Sequence, residues 1–270
     1  MEVSIILLNY KQKGLIKQSI KGIKQCRIRV SHEIIVVDNN SQDGCVKMIQ
    51  KEFPEIKIVP LQKNVGFAAG NNAGIRESSG RYVIILNPDI AMVENAIENL
   101  LHFFENHPNA GIVGPRLIHP DGTLQYSCCR FPNFFIPLYR RTALGKLQFG
   151  KISIEKYLMK EWDHATPKKV DWLFGAFLMI RRDALEQVGL FDDRFFLYYE
   201  DLDLCRRFWE KGREVWYNPN TELIHYHQRL SGQKFGILSI FNRATRIHIV
   251  SSIKYFAKYF GARPPKIPEK

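Results

Sequence analysis

Short apolar runs, most of them ending in small polar residues, set the strongest constraint on how this chain folds. The runs are Val3-Ser4-Ile5-Ile6-Leu7-Leu8, Glu33-Ile34-Ile35-Val36-Val37, Ile56-Lys57-Ile58-Val59, Tyr82-Val83-Ile84-Ile85-Leu86 and Gly111-Ile112-Val113. Near-continuous apolar, β-branched residues mark the first, second and fourth as buried strands, and the other two read as strands as well. Between them, Leu15, Ile16, Ile20 and Ile23 recur at helical spacing. Residues 41–53 suit a helix capped by Ser41 or Asp43, and residues 93–107 are strongly helical. Strands alternating with helices predict an α/β fold: a mostly parallel central sheet with helices on both faces.

After residue 115 the pattern changes. His119-Pro120-Asp121-Gly122 is a turn signal. Residues 130–168 read as irregular, aromatic and basic. Val170 to Ile180 reads as a strand, 182–188 as a short helix, 201–211 as a helix, 213–217 as a strand and 237–260 as a long basic helix. The chain therefore divides into residues 1–115, residues 116–234 with a smaller subdomain, and a C-terminal basic helix and tail over 235–270. That tail mixes Arg243, Arg246, Lys254 and Lys258 with Ile240, Phe241, Ile247, Ile249, Ile253, Phe256 and Phe260. Apolar residues fall on much of its circumference, so it reads either as packed on the domain or as attached to an anionic lipid surface.

Lys and Arg number 39 against 27 Asp and Glu, a net charge of +12 that favours anionic partners. The five cysteines are scattered apart from adjacent Cys128-Cys129, which matches no C-x-x-C metal pair and predicts a reducing compartment. No apolar stretch approaches the roughly 20 residues of a membrane span. The run starting at Val3 reads as a strand rather than a leader.

In an open α/β sheet, ligands bind beyond the carboxyl ends of the strands. There the sequence places Asn9-Tyr10, Asp38-Asn39-Asn40-Ser41 and Asn87-Pro88-Asp89. Turn formation and helix capping explain any one of these segments, but less readily all three. P-loop, dinucleotide-binding, nucleophile-elbow and H-E-x-x-H motifs are absent. Gly66, Gly70 and Gly74, spaced by four, form a small-residue stripe that allows close approach of backbone or ligand. Asp89 can cap a helix near 93 or ligate a hard divalent cation. Glu200, Asp201 and Asp203 at a helix start suit the helix dipole. Their aromatic flank, Phe195-Phe196-Leu197-Tyr198-Tyr199, instead favours a desolvated general base. His225 and His227 share one strand face, where either can ligate a metal or sit as a satisfied histidine.

Taken together, these segments resemble inverting nucleotide-sugar glycosyltransferases of family 2, with the GT-A fold, and more narrowly the rhamnosyltransferase-like branch. The resemblance runs through residues 3–230. It is carried by Val37-Asp38-Asn39-Asn40-Ser41-Gln42-Asp43-Gly44, Asn64-Val65-Gly66-Phe67-Ala68-Ala69-Gly70-Asn71-Asn72, Leu86-Asn87-Pro88-Asp89, Gly175-Ala176-Phe177 and Tyr199-Glu200-Asp201-Leu202-Asp203-Leu204. It implies that residues 1–115 bind the nucleotide sugar and residues 116–234 hold the acceptor and the catalytic groups. Asp38 would bond the pyrimidine, with Asn9, Tyr10 and Asn40 lining that pocket. Gly66, Phe67, Asn71 and Asn87 would face ribose and diphosphate. Asp89 would bind Mg²⁺ or Mn²⁺, with His225 supplying a ligand because Asn87 replaces the first acid of the family's D-x-D motif. Asp201 would be the general base, supported by Glu200 and Asp203. Trp172, Gly175 and Ala176 would border the acceptor or donor sugar.

The implied reaction moves a sugar, rhamnose first, from a dTDP- or UDP-sugar to a saccharide or polyprenyl-linked saccharide in cell-surface polysaccharide synthesis. The implied location is cytoplasmic, peripheral on the inner face of the plasma membrane. Two other classes compete. A metal-dependent nucleotidyltransferase needs a Gly-rich basic loop after the first strand, where this chain has Asn9-Tyr10-Lys11-Gln12. A basic nucleic-acid-binding protein is suggested by net charge alone, without a binding motif, so no nucleic-acid partner is expected.

Overall fold

The computed structural model describes residues 1–226 and 242–268. In chain order the elements are β1 (Val3–Asn9), α1 (Lys13–Gln25), β2 (His32–Asp38), α2 (Cys45–Glu52), β3 (Lys57–Pro60), α3 (Gly66–Arg76), β4 (Tyr82–Leu86), β5 (Ile90–Ala91) and α4 (Ala96–Asn106). They continue with β6 (Ala110–Ile118), β7 (Leu124–Gln125), β8 (Cys128–Cys129), α5 (Ile136–Tyr139), α6 (Gln148–Tyr157), β9 (Lys168–Lys169), β10 (Trp172–Leu173) and β11 (Phe177–Arg181). The last are α7 (Arg182–Val188), α8 (Glu200–Glu210), β12 (Glu214–His225) and α9 (Arg243–Lys258).

The main sheet runs β3-β2-β1-β4-β11-β6-β12-β5. The first four strands are parallel, as the alternating pattern predicts, and Asn9 pairs with Asp38 at their carboxyl ends. Strand β11 lies antiparallel between β4 and β6, so residues 1–115 and 116–234 share one sheet. Strand β6 itself runs through residues 115 and 116.

Alternation along β1 sends Ile5 and Leu7 to one face, against Ile16 and Ile20 of α1, Ile49 of α2 and Leu100 and Phe104 of α4. Ile6 faces the other side, in a core shared with Ala68 and Ile75 of α3, Leu202 and Phe208 of α8 and Tyr255 of α9. Helices α3, α8 and α9 therefore lie on one face, and the first two carry candidate chemistry. The glycine stripe on α3 serves packing. A Cβ at Gly70 would stand 2.7 Å from Leu8, and one at Gly74 2.6 Å from Ile6.

Several expectations shift. The helix predicted from Ser41 begins at Cys45, because Asn40, Gln42 and Gly44 adopt φ of 53°, 55° and 81°, which no helix accommodates. Asp43 bonds the Cys45 N–H, as a cap would. Residues 130–168, expected to be irregular, hold α5, a 3₁₀ turn at Ala143–Lys146 and α6. The strand expected over 170–180 breaks at Phe174-Gly175-Ala176, where the Gly175 N–H turns to Asp201 and the Ala176 carbonyl accepts from the Asn87 N–H. The basic helix expected over 237–260 is α9, capped by Asn242, whose Oδ1 accepts from the Ala244 N–H. Phe235, Ile240, Phe241 and His227 lie outside the described residues.

Candidate active site

Three groups of side chains meet at the carboxyl ends of the central strands. The first is the turn after β2. The Asn9 Nδ2 donates to Asp38 Oδ1 and to Ser41 Oγ, each at 2.7 Å. Asp43 accepts from Ser41 Oγ at 2.8 Å, from the Lys13 N–H at 2.9 Å and from the Cys45 N–H at 3.0 Å. Burial works against the Asp43 charge, but these hydrogen bonds outweigh it and hold its pKa below 3.8. Asp38, Asp43 and Cys45 lie close enough to share a cation. However, burial, with the Asp43 and Asp38 charges adding to it, pushes the Cys45 thiol up to about 12, and the carboxylate oxygens already receive protein donors. The cluster is a hydrogen-bonded turn.

Asn9, expected to line the pocket, is fully buried, and its Oδ1 accepts from the Gln12 N–H. It therefore backs Asp38 rather than facing a ligand. Tyr10, by contrast, is exposed at the rim. Asn39 ties this turn to α3, accepting from the Val65 N–H at 2.8 Å and donating to the Gly66 carbonyl at 3.0 Å.

The start of α3 is a close approach that only glycine permits. Gly66 has φ +88°, and a Cβ there would lie 2.2 Å from the Phe196 carbonyl. That carbonyl accepts from the Phe67 N–H at 2.6 Å. Asn71, expected at the diphosphate, is buried and spends its amide on the Phe67 carbonyl. Asn72 holds Phe191 by two hydrogen bonds of 2.8 and 3.0 Å. Helix α3 is thus bolted to the loop that precedes α8.

The second group forms where β5 pairs with β12. The pairing sets His225 opposite Ile90, next to Asp89, and His225 Nε2 stands 3.3 Å from Asp89 Oδ1. On its other side His225 Nδ1 contacts Gln125 Oε1 at 2.8 Å. A proton on Nδ1 donated to Gln125 leaves the Nε2 lone pair facing the carboxylate, the tautomer a metal ligand needs. Asp89, expected alternatively as a helix cap, faces this imidazole instead. Asn87, half-buried, is fixed by its N–H to the Ala176 carbonyl at 2.8 Å.

The third group opens α8. Tyr198 and Tyr199 both take left-handed backbone, φ 69° and 72°, a conformation costly for aromatic residues and concentrated at functional sites. Asp201 Oδ2 accepts from the Gly175 N–H at 2.8 Å and Oδ1 from the Leu202 N–H at 2.8 Å. Burial raises its pKa to about 6 against these two bonds. Glu200 is buried, its Oε2 without a partner among the described residues, and burial plus the Asp201 charge raise its pKa well above the ordinary value. A Cβ on Gly175 would touch both Asp201 and Phe67 at 3.3–3.4 Å, so the start of α3 and the start of α8 meet there.

Two expected residues stand elsewhere. Asp203 is wholly buried and accepts from Arg207, Lys258 and Tyr259, which locks α9 onto α8. It supports the helix rather than the chemistry. Trp172 is buried, with its indole N–H on the Arg130 carbonyl at 3.0 Å, so it packs beneath the site instead of bordering a sugar. Gln125 and Asn39 were not among the expected site residues. Gln125 is legible only once β7 is paired with β6.

The parallel strands β3-β2-β1-β4 with β11 antiparallel beside them make a GT-A fold, and solved structures share it. A mannosyltransferase from Pyrobaculum calidifontis, in complex with GDP-Man and Mn²⁺, superposes with a TM-score of 0.61 at 18 % identity over 98 % of this chain and 66 % of that one. GalNAc-T7 with UDP, GalNAc and Mn²⁺ gives 0.67 at 12 % identity, over 97 % of this chain and 48 % of that one. The model of glycosyl transferase family 2 matches residues 4–189, and the chain belongs to that family.

Among its relatives is N-acetylglucosaminyl-diphospho-decaprenol L-rhamnosyltransferase of Mycobacterium tuberculosis, 29 % identical over 211 residues, 74 % of this chain and 68 % of the relative. Rhamnosyltransferase WbbL of Escherichia coli is 25 % identical over 266 residues, 95 % and 93 % of the two chains. Among the described residues, no helix is long and apolar enough to cross a membrane.

Proposed function

We propose that this glycosyltransferase is inverting and moves rhamnose from a dTDP- or UDP-linked donor to a hydroxyl of a polyprenyl-linked saccharide. It would do so in cell-surface polysaccharide synthesis, as a peripheral protein at the inner face of the plasma membrane. The names of the relatives favour the sugar and the lipid-linked acceptor. The observation that carries the mechanism is Asp201: a carboxylate at the crevice, held by two backbone N–H groups and raised to about 6. A base with that pKa is ionised at neutral pH yet basic enough to share a hydroxyl proton as the bond forms.

Asp201 takes the proton while the acceptor oxygen attacks the anomeric carbon from the face opposite the leaving group. The bond from that carbon to the nucleoside diphosphate breaks in the same step. The proton ends on Asp201, the anomeric configuration inverts and no glycosyl-enzyme forms. Asp38 and Tyr10 hold the nucleoside end, while Gly66 and Phe67 flank the diphosphate. Gly175 keeps the carboxylate aimed, and the backbone at Gly175 and Ala176 borders the sugar.

Asp89 and the Nε2 of His225, 3.3 Å apart with Nδ1 engaged by Gln125, fit a shared divalent cation. Bound there, Mg²⁺ or Mn²⁺ supplies positive charge to the departing diphosphate.

Thermal shift against a panel of activated sugars tests the donor. A dTDP- or UDP-sugar should raise Tm in the presence of Mn²⁺, and no response to any activated sugar would overturn the reading. NMR of the product should show the inverted anomer, and a retained one would overturn the single displacement.

A further inference from the structure

We infer that the arm formed by residues 134–152, together with the outer stripe of α9, is a docking face for an anionic lipid bilayer. The inference rests on the reading of the acceptor as lipid-linked and says where the enzyme meets that lipid's membrane.

A row of aromatic rings crosses this face. Phe256 of α9 lies edge-on to Phe134, with centroids 5.4 Å apart. Phe134 meets Phe135 at 6.1 Å, Phe135 stacks on Tyr139 at 6.0 Å, and Tyr139 meets Phe149 at 5.7 Å. Phe134, Phe135 and Phe149 are 70, 54 and 51 % exposed. Leu138, Leu147 and Ile152 are exposed around them. On α9, Ile249, Ile253 and Phe256 follow at i, i+4 and i+7, and the first two are exposed, so the helix stripe continues the row. Soluble surfaces rarely leave so much contiguous apolar area open without a partner.

Charge selects the partner. Between Asp121 and Glu155 the sequence has no acidic residue, while Arg130, Arg140, Arg141, Lys146 and Lys151 fall within it. Residues 242–268 likewise contain none, and they include Arg243, Arg246 and Lys254. Arg130 pairs with Glu161 and the Arg140 guanidinium lies over the Tyr157 ring, which leaves Lys146 and Lys151 exposed on the arm and Arg243 and Arg246 exposed on α9. A protein partner of ordinary mixed charge would leave these four without matching acids. A plane of anionic headgroups matches these four, while the rings enter the acyl boundary.

The face is also coupled to the site. His248 of α9 packs on Tyr198 and Tyr199 at 5.1 and 5.2 Å, the two residues that lead into Glu200 and Asp201. An acceptor held in the bilayer would thus arrive beside the base.

Co-sedimentation of the full chain with vesicles, without sugar or acceptor, tests this directly. Vesicles of phosphatidylcholine with about 30 % phosphatidylglycerol should bind the protein at least ~10-fold more tightly than phosphatidylcholine alone, and less so as salt rises. The exposed-ring variant Phe135→Ser/Phe149→Ser and the charge variant Lys146→Glu/Lys151→Glu should each lose about 10-fold or more, with unchanged melting and unchanged donor thermal shift. No vesicle binding, or binding indifferent to both variants, would overturn the assignment. So would a wild-type dimer in light scattering that the ring variant dissociates, since the face would then belong to a second copy. Because donor response is read separately, vesicle failure leaves the transfer reaction standing, and donor failure leaves the docking face standing.

Discussion

The turn after β2 and the first turn of α8 each gather acidic side chains within a few residues, yet they reach opposite electrostatic ends. In the turn, Asp43 collects donors from Ser41, Cys45 and Lys13, and its pKa falls despite burial. In α8, Asp201 has two backbone donors and Glu200 Oε2 has none among the described residues, and both pKa values rise because burial outweighs the few hydrogen bonds that oppose it. The helix dipole favours the charged form at α8, so desolvation overcomes that help as well. Three residues into the same helix, Asp203 takes a third course, paired with Arg207 and Lys258 at complete burial. A carboxylate whose acceptor capacity is filled builds a rigid wall. One that is desolvated and under-supplied is ready to take a proton.

The largest effect expected from breaking this contrast is on Asp201. Asp201→Asn should lower kcat by about 10³-fold while donor affinity stays within a few-fold. Wild-type kcat should fall on the acid side as Asp201 protonates near pH 6, and the residual activity of the variant should lack that limb. Equal loss of donor binding, measured by titration calorimetry, would make Asp201 a ligand rather than a base.

Much of this was legible in the sequence wherever a residue's environment is set by its own strand. Asp38 and Asp89 follow buried strands, and Asp201 follows an aromatic run, so their neighbourhoods were readable locally. Asn9 and Asn71 give their amides to protein groups, since a short amide beyond a strand or near a helix start serves a turn as readily as a ligand. Gln125 could not be seen, since its role exists only after β7 pairs with β6 and β12 brings in His225 from 100 residues away. The helical arm over 136–157 was hidden by Pro137, Gly145 and Gly150, which break the apolar period that would have announced it.

Gln125 also supplies the next test, because it touches the imidazole on the side away from Asp89. Gln125→Ala should weaken Mn²⁺ binding, followed by the EPR signal of free Mn²⁺, by about 10–100-fold through loss of the fixed tautomer. Asp89→Ala should weaken it further. If Asp89→Ala and His225→Ala both leave Mn²⁺ affinity unchanged, this corner holds no cation, and the divalent ion, if needed, binds elsewhere.

The smallest expected effect isolates desolvation from catalysis. With its pKa raised by burial and by Asp201, Glu200 keeps a proton in the native state that the unfolded chain releases above about pH 4.5. The unfolded state then binds fewer protons, so this group's contribution to stability is complete below pH 4.5 and is lost as the pH rises. Glutamine has the shape of the protonated acid and no proton to lose. Glu200→Gln should therefore melt with the wild type at pH 4.5 and about 2–4 °C above it at pH 8, by calorimetry at both values. The opposite order at pH 8 would mean that Glu200 is ionised and partnered in the native state. Its first turn would then resemble the filled turn after β2, and the contrast between the two acidic clusters would rest on Asp201 alone.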